Sequence, residues 1–189
     1  MRVISGSAKG RRLKAPPGQG TRPITDMIKG ALFNVLHEGI KGADILDIFA
    51  GSGNVGLEAL SRGAGKAVFV ERNPLAVRII KENLHICKFD SQYYAVYQMD
   101  AFKALQLLKS KEETFSYIYI DPPFKNEKIF SQIMTELGES GLLKPEGIII
   151  IRTRKDKELS VCFPNLIQYR YNRYGESILR YYRLNGEES

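Results

Sequence analysis

A chain of 189 residues with 43% apolar and 26% charged side chains has the composition of a folded globular protein, long enough to bury roughly 70% of its unfolded surface around one core. No run approaches the ~18 apolar residues of a membrane helix. The opening Met1-Arg2-Val3-Ile4-Ser5-Gly6 lacks the apolar segment of a secretory signal, and two cysteines make no disulfide framework, so membrane and disulfide-scaffold classes are set aside and a reducing cytoplasm is expected. Lys and Arg outnumber Asp and Glu by 28 to 21, a net charge of +7, which favours a polyanionic partner without identifying one.

Residues 1–25 read as a basic arm. Lys9, Arg11, Arg12, Lys14 and Arg22 lie in a Gly/Pro-rich stretch, and Val3, Ile4 and Leu13 around Gly6 and Gly10 predict a small hairpin in place of a solvated tail. Residues 26–189 form the expected catalytic body of a single domain. Asp26 signals a helix start, after which Ile28, Ala31, Leu32, Val35 and Leu36 recur at helical spacing and predict one packed face. Strand-length apolar runs at 44–49, 66–70, 94–98, 115–120 and 147–151 then alternate with amphipathic stretches, and Asn73-Pro74 marks another helix start. The alternation predicts an α/β fold with a mainly parallel sheet covered by helices. After Phe163 the chain turns to Tyr/Arg alternation, Tyr169-Arg170-Tyr171-Asn172-Arg173-Tyr174, then Gly175-Glu176 and a second such run, which predicts a terminal antiparallel hairpin on the sheet edge. His37 and His85 stand far from any carboxylate or cysteine cluster, so no metal is expected, and Cys87 and Cys162 read as packed thiols. No segment marks an interface, and a monomer is expected.

The loop Gly51-Ser52-Gly53-Asn54-Val55-Gly56 fits G-x-G-x-x-G between a strand and a helix, with Glu71 about 20 residues on, so a dinucleotide such as NAD fits it too. Two acids favour S-adenosylmethionine. Asp47 would repel a pyrophosphate but welcome an ammonium, and Asp100, after the third strand, stands where an acceptor could take an adenine amino group. Glu71 would chelate the ribose hydroxyls. Each acid also has a plain structural reading: Asp100 could cap the helix from Ala101, and Asp47 could pair with a base.

Asp121-Pro122-Pro123-Phe124 ends the fourth predicted strand. It could be a strand-terminating turn, but Gly51, Glu71, Asp100 and Asp121 all fall at strand carboxyl ends, where open α/β sheets bind ligands. A delocalised exocyclic amine is a poor nucleophile, and an enzyme acting on one must hold it by acceptors and stack its ring. A carboxylate, a proline-fixed carbonyl and an aromatic ring supply those parts, so the tetrapeptide points to methyl transfer onto a planar nitrogen, driven by positioning and charge balance.

At these residues the chain resembles the class I S-adenosylmethionine-dependent amino-methyltransferases, and more closely the RsmD-type enzymes that modify guanine N2 in bacterial 16S ribosomal RNA. The likeness runs through Met1-Arg2-Val3-Ile4-Ser5-Gly6, Lys9-Gly10-Arg11-Arg12-Leu13, Thr21-Arg22-Pro23, Leu46-Asp47-Ile48-Phe49-Ala50-Gly51-Ser52-Gly53, Val70-Glu71, Asp121-Pro122-Pro123-Phe124 and Tyr174-Gly175-Glu176. It implies a Rossmann-like fold, with a mainly parallel seven-stranded sheet, helices on both faces and the terminal hairpin. It places cofactor contacts on Asp47, Phe49, Ala50, Gly51, Ser52, Gly53, Glu71, Asn73, Asp100 and Ala101, and substrate-amine contacts on Asp121, Pro122, Pro123 and Phe124. The partner implied is 16S rRNA within the small ribosomal subunit, with RNA contact on Lys9, Arg11, Arg12 and Arg22, a surface that the arginines and tyrosines of the hairpin could extend. Members usually carry Tyr where Phe124 stands, and many have an acid ending the fifth strand where Arg152, Thr153 and Arg154 follow Ile151. Methylation of DNA adenine or of a protein glutamine amide uses the same chemistry, and an NAD-dependent oxidoreductase is the rival from another class.

Overall fold

The computed structural model describes residues 1–16, 24–122 and 127–186. Five strands, β1 (Asp44–Ile48), β2 (Lys66–Glu71), β3 (Tyr94–Gln98), β4 (Phe115–Ile120) and β5 (Leu143–Arg154), run parallel, and β6 (Cys162–Phe163), β7 (Leu166–Tyr174) and β8 (Ser177–Leu184) complete the sheet antiparallel in the order β3-β2-β1-β4-β5-β8-β7-β6. The sheet therefore has eight strands where seven were expected. The additional strand is two residues long, too short for periodicity to mark, and it takes the edge beside β7. The terminal hairpin enters the sheet with β8 against β5, and β5 runs past its apolar stretch to pair Arg152 with Leu179 and Arg154 with Ser177. Cys87 is buried, whereas Cys162, on the edge strand, is exposed and not the packed thiol expected.

Alternation along each strand divides the core in two. Ile45, Phe69, Tyr117, Tyr119, Ile150 and Tyr181 face a cluster that includes residues of α1 (Asp26–Leu36), α2 (Asn54–Ser61) and α3 (Pro74–Cys87). Leu46, Val68, Ile118, Ile120, Ile149 and Ile151 face a cluster that includes residues of α4 (Ala101–Ser110) and α5 (Glu127–Ser140). Thr25, one residue before Asp26, caps α1 with Oγ1 accepting from the Ile28 amide, and Asn73 caps α3 with Pro74 in its first turn. The packed face of α1 is Ile28, Lys29, Leu32, Phe33 and Leu36; Ala31 and Val35, expected on it, are half-buried.

Lys29 shifts that face because its ammonium has a buried partner. Nζ lies 3.0 Å from Glu58 Oε2, with both side chains at 0% exposure, and donates to the Arg2 carbonyl and Asn54 Oδ1 at 2.7 Å each. Burial lowers the Lys29 pKa, and Glu58 opposes that shift. Glu58 also accepts from the Ile4 and Ser5 amides at 2.8 and 3.0 Å and from Arg62 Nε at 2.9 Å. This carboxylate binds the arm to the body.

Within the arm, residues 1–13 form a small hairpin around Gly6 and Gly10: Val3 donates to the Arg11 carbonyl, Gly10 to the Val3 carbonyl and Leu13 to the Met1 carbonyl at 2.9–3.0 Å. Its turn presses on the end of α2 so closely that a Cβ on Gly6 would stand 1.7 Å from the Ser61 carbonyl oxygen, and φ there is +82°. No side chain fits.

Candidate active site

Asp47 near the carboxyl end of β1, Glu71 at the end of β2 and Asp121 just after β4 stand close enough for the charges of the last two to act on Asp47. Asp47 is 2% exposed, and its Oδ2 accepts from the Gly56 amide at 3.0 Å. Glu71 accepts from the Gly51 amide at 2.9 Å through Oε2 and from the Asn73 amide at 2.8 Å through Oε1. These two carboxylates shape the glycine loop from both sides, while Ala50 donates to the Val70 carbonyl at 3.1 Å and Gly53 to the Ala50 carbonyl at 2.7 Å. Phe49 opens the loop at φ +61°, a left-handed conformation that costs a bulky residue energy and ends β1 one residue sooner than its apolar run suggests. Gly56 is required by packing: a Cβ would stand 2.3 Å from Phe69 Cε1.

Asp47, Phe49, Ala50, Gly51, Ser52, Gly53, Glu71 and Asn73 are thus gathered at adjoining strand ends. Asp100 is exposed at the head of α4 and caps it, Oδ1 accepting from the Phe102 amide at 2.9 Å, with Ala101 the first helical residue. The capping reading of Asp100 holds. Among the described residues Asp47 pairs with no basic side chain; it accepts a backbone amide. Its pKa is raised well above the ordinary carboxylate range, first by burial and further by the charges of Asp121 and Glu71. A buried carboxylate under the charges of two neighbouring acids makes surroundings suited to a cation and hostile to a pyrophosphate.

Asp121 closes this group from β4. Its amide donates to the Ile48 carbonyl at 3.4 Å, and its Oδ2 accepts from Arg152 Nη1 at 2.8 Å. The Arg152 side chain is 4% exposed and that of Asp121 24%, so the carboxylate keeps access to solvent while its counter-ion is buried. Burial pushes the Asp121 pKa up to about 6, against the pull of Arg152. Tyr119, two residues earlier on the same face, is buried, and its hydroxyl pKa is raised well up by burial and then by Asp121.

Pro122 is buried beside Asp121; Pro123 and Phe124 lie outside the described residues, as does Arg22. Of the other expected arm contacts, Lys9 and Arg12 are exposed. Arg11 instead turns inward, its guanidinium donating to the Ile86 carbonyl in the last turn of α3.

The sequence does not show the part that two residues play in shaping the site. Arg152 stands out there only as a base after Ile151 where many similar enzymes carry an acid, with nothing to link it to Asp121. Asn83, 0% exposed, holds the Lys14 backbone through Oδ1 to its amide at 2.8 Å and Nδ2 to its carbonyl at 3.0 Å, and also donates to the Ser52 carbonyl at 3.0 Å. An asparagine on the apolar face of α3 is its only signal. The arm and the glycine loop therefore share one side-chain clamp.

Residues 1–183 match a family model described as "Conserved hypothetical protein 95". A Bacillus subtilis (strain 168) protein, YlbH, provisionally named an rRNA methyltransferase, is 38% identical over 186 residues, spanning 98% of this chain and 100% of its own length. Ribosomal RNA small subunit methyltransferase D of Haemophilus influenzae is 36% identical over 159 residues, covering 84% of this chain and 81% of that one. The solved structure of a hypothetical protein from Thermus thermophilus matches with a TM-score of 0.84 and 31% identity over 97% of this chain and 99% of that one.

Proposed function

We propose that this chain, which belongs to the conserved hypothetical protein 95 or RsmD family, methylates the exocyclic N2 amine of a guanine in 16S rRNA of the small ribosomal subunit, in the cytoplasm, using S-adenosylmethionine. The observation that carries the reading is the Asp121 carboxylate, paired with Arg152 and near enough to Asp47 for its charge, with that of Glu71, to act there. The names of the relatives support an rRNA substrate; the chemistry of the tetrapeptide supports the amine.

S-adenosylmethionine, when bound, supplies an electrophilic methyl group on a sulfonium. Asp47 and the loop from Phe49 to Gly53 would receive its cationic amino-acid end. Glu71, oriented by the Gly51 and Asn73 amides, retains lone pairs that would take the ribose hydroxyls, and Asp100 with Ala101 would border the adenine. The mutual charge of Asp47, Glu71 and Asp121 fits this cation and disfavours NAD. Asp121 and the Pro122 carbonyl accept hydrogen bonds from the guanine amine and fix its nitrogen lone pair towards the methyl group, while Phe124 takes the stacking role. As positive charge arrives on the amine, the ionised Asp121 balances it, and the released proton passes to that carboxylate or to water.

The test is transfer of labelled methyl from S-adenosylmethionine to small subunits from cells lacking the enzyme, followed by nucleoside digestion and mass spectrometry. N2-methylguanosine is the expected product. Label on adenine or on protein with none on guanine would replace the substrate, and tight nicotinamide-cofactor binding without methyl transfer would replace the reaction.

The state of Asp121 gives a pH prediction. Only the ionised carboxylate accepts and balances charge, so kcat/KM should fall as pH drops through about 6. Arg152 favours the ionised form, and Arg152→Met is expected to move this acid limb to higher pH, with the rate recovering on the alkaline side. A limb at the same pH in Arg152→Met would show that the guanidinium does not set the charge of Asp121.

A further inference from the structure

The hairpin of β7 and β8, residues 166–184, carries five tyrosines, four arginines and a single acid. That acid, Glu176, lies in the turn and pairs with Lys155 at 2.6 Å. Among the described residues neither Arg170 nor Arg183 has a carboxylate partner. The register shifts between Gln168 and Arg170, and the extra residue lets Tyr169 and Arg170 lean onto the same face of the sheet. There the Tyr169 and Tyr181 rings lie 6.4 Å apart, the Arg170 guanidinium stands 5.7 Å from the Tyr181 ring and the Arg183 guanidinium 5.6 Å from that of Tyr169. Arg170 Nε also donates to Asn172 Oδ1 at 2.8 Å. Tyr181 is wholly buried, whereas Tyr169 is 41% exposed. The result is a partly exposed aromatic ring set against a buried one, with a guanidinium over each.

This strip is on the face that carries Asp121. Tyr119 and Ile150, two residues before Asp121 and Arg152, belong with Leu179 and Tyr181 to one buried cluster. Arg152 pairs in register with Leu179, and Leu179 with Asn172. Asn172 is therefore three strand spacings from Asp121, roughly 14 Å, and Arg170, in the row of Tyr181, Ile150 and Tyr119, lies two residues further towards the amino ends of β4 and β5, roughly 16 Å away and within the reach of a few nucleotides.

We infer that the face formed by Tyr169, Arg170, Asn172 and Arg183 is a binding surface for single-stranded RNA flanking the target nucleotide, with a base stacked on Tyr169 and backbone phosphates at Arg170 and Arg183. A partly exposed ring on a sheet face can take only an unstacked base, which selects a single strand over a duplex, and guanidinium groups without carboxylate partners complement phosphodiesters better than an acidic protein surface crowded with its own counter-charges. The inference rests on the RNA-methylation reading.

The test compares the full-length protein with Tyr169→Ala, Tyr169→Phe and Arg170→Ala/Arg183→Ala. Binding to a single-stranded oligoribonucleotide and to duplex RNA is measured over a salt series, alongside methyl transfer to small subunits, cofactor affinity and melting temperature. Tyr169→Ala should weaken single-strand binding about 5- to 100-fold, with Tyr169→Phe near the parent. The arginine pair should lower the salt slope by about 1.4, two phosphates at ~0.7 each. On subunits KM should rise while kcat stays within a few-fold and cofactor affinity is unchanged. If the parent methylates RNA and these variants bind and turn over like it, or if they lose duplex and single-strand binding equally, the inference is overturned and the reaction stands. A parent inactive on all RNA removes the reading and the inference together.

Discussion

Asp121→Asn is expected to lower the rate of methyl transfer roughly 100- to 1,000-fold, the usual cost of losing one preorganised electrostatic partner of the reacting group, with cofactor affinity within a few-fold of the parent. Asparagine keeps the shape, and its amide oxygen can still accept from Arg152, which stands 2.8 Å from Oδ2 of the native carboxylate. That orientation turns the NH₂ towards the cleft. A donor then faces the donor hydrogens of the guanine amine, and the negative charge that balances the developing ammonium is gone. Asp121→Ala should lose as much activity and also melt lower, because it leaves the nearly buried Arg152 cation without this carboxylate. Stopped-flow or quench measurement of a single turnover, paired with equilibrium cofactor binding, separates the two consequences. A near-parental single-turnover rate in Asp121→Asn would take this carboxylate out of the reaction.

How much of this could be read from the chain depends on the range of the interaction. The parallel strands, the glycine loop and the arm hairpin are set by alternation and by glycines at turns, all local signals, and they stand where the sequence puts them. Asp100 and Asn73 were legible because a cap is completed within three residues. Arg152 and Lys29 were not. A buried cation makes sense only beside its acid, and these pairs join residues 31 and 29 positions apart, on β5 with β4 and on α1 with α2. Arg11 shows the same limit in reverse: composition assigns it to a basic surface, but the Ile86 carbonyl at the end of α3, 75 residues away, claims its guanidinium. The Tyr/Arg alternation announced a hairpin, yet which tyrosines are buried followed from the register shift near Arg170, for which the sequence carries no separate mark.

Glu58→Ala is expected to produce the largest loss of stability of any single substitution in the arm–body contact. The carboxylate is 0% exposed and satisfies four donors: two arm amides, Lys29 and Arg62. Its removal strands an ammonium in the core and leaves the Ile4 and Ser5 amides without their acceptor. Breaking a buried pair in this way costs about 3–5 kcal/mol, and at about 2–4 °C per kcal/mol for a chain of this size the melting temperature should fall roughly 6–20 °C. Lys29→Met should cost less, since Glu58 keeps Arg62 and both amides, and Lys29→Met combined with Glu58→Gln should recover part of the Glu58→Ala loss because no ammonium is left stranded in the core. The effect should also reach the cleft. Lys29 holds Asn54 at 2.7 Å, directly after Gly53, and Asn83 ties the arm at Lys14 to the Ser52 carbonyl. A loosened arm therefore frees the glycine loop on two sides, so Glu58→Ala should weaken cofactor binding although Glu58 is placed away from the cofactor contacts, and limited proteolysis should begin within the first 16 residues. Melting within two or three degrees of the parent, with an arm still resistant to protease, would mean that the apolar contacts of Val3, Ala8 and Leu13 hold the hairpin without the buried pair.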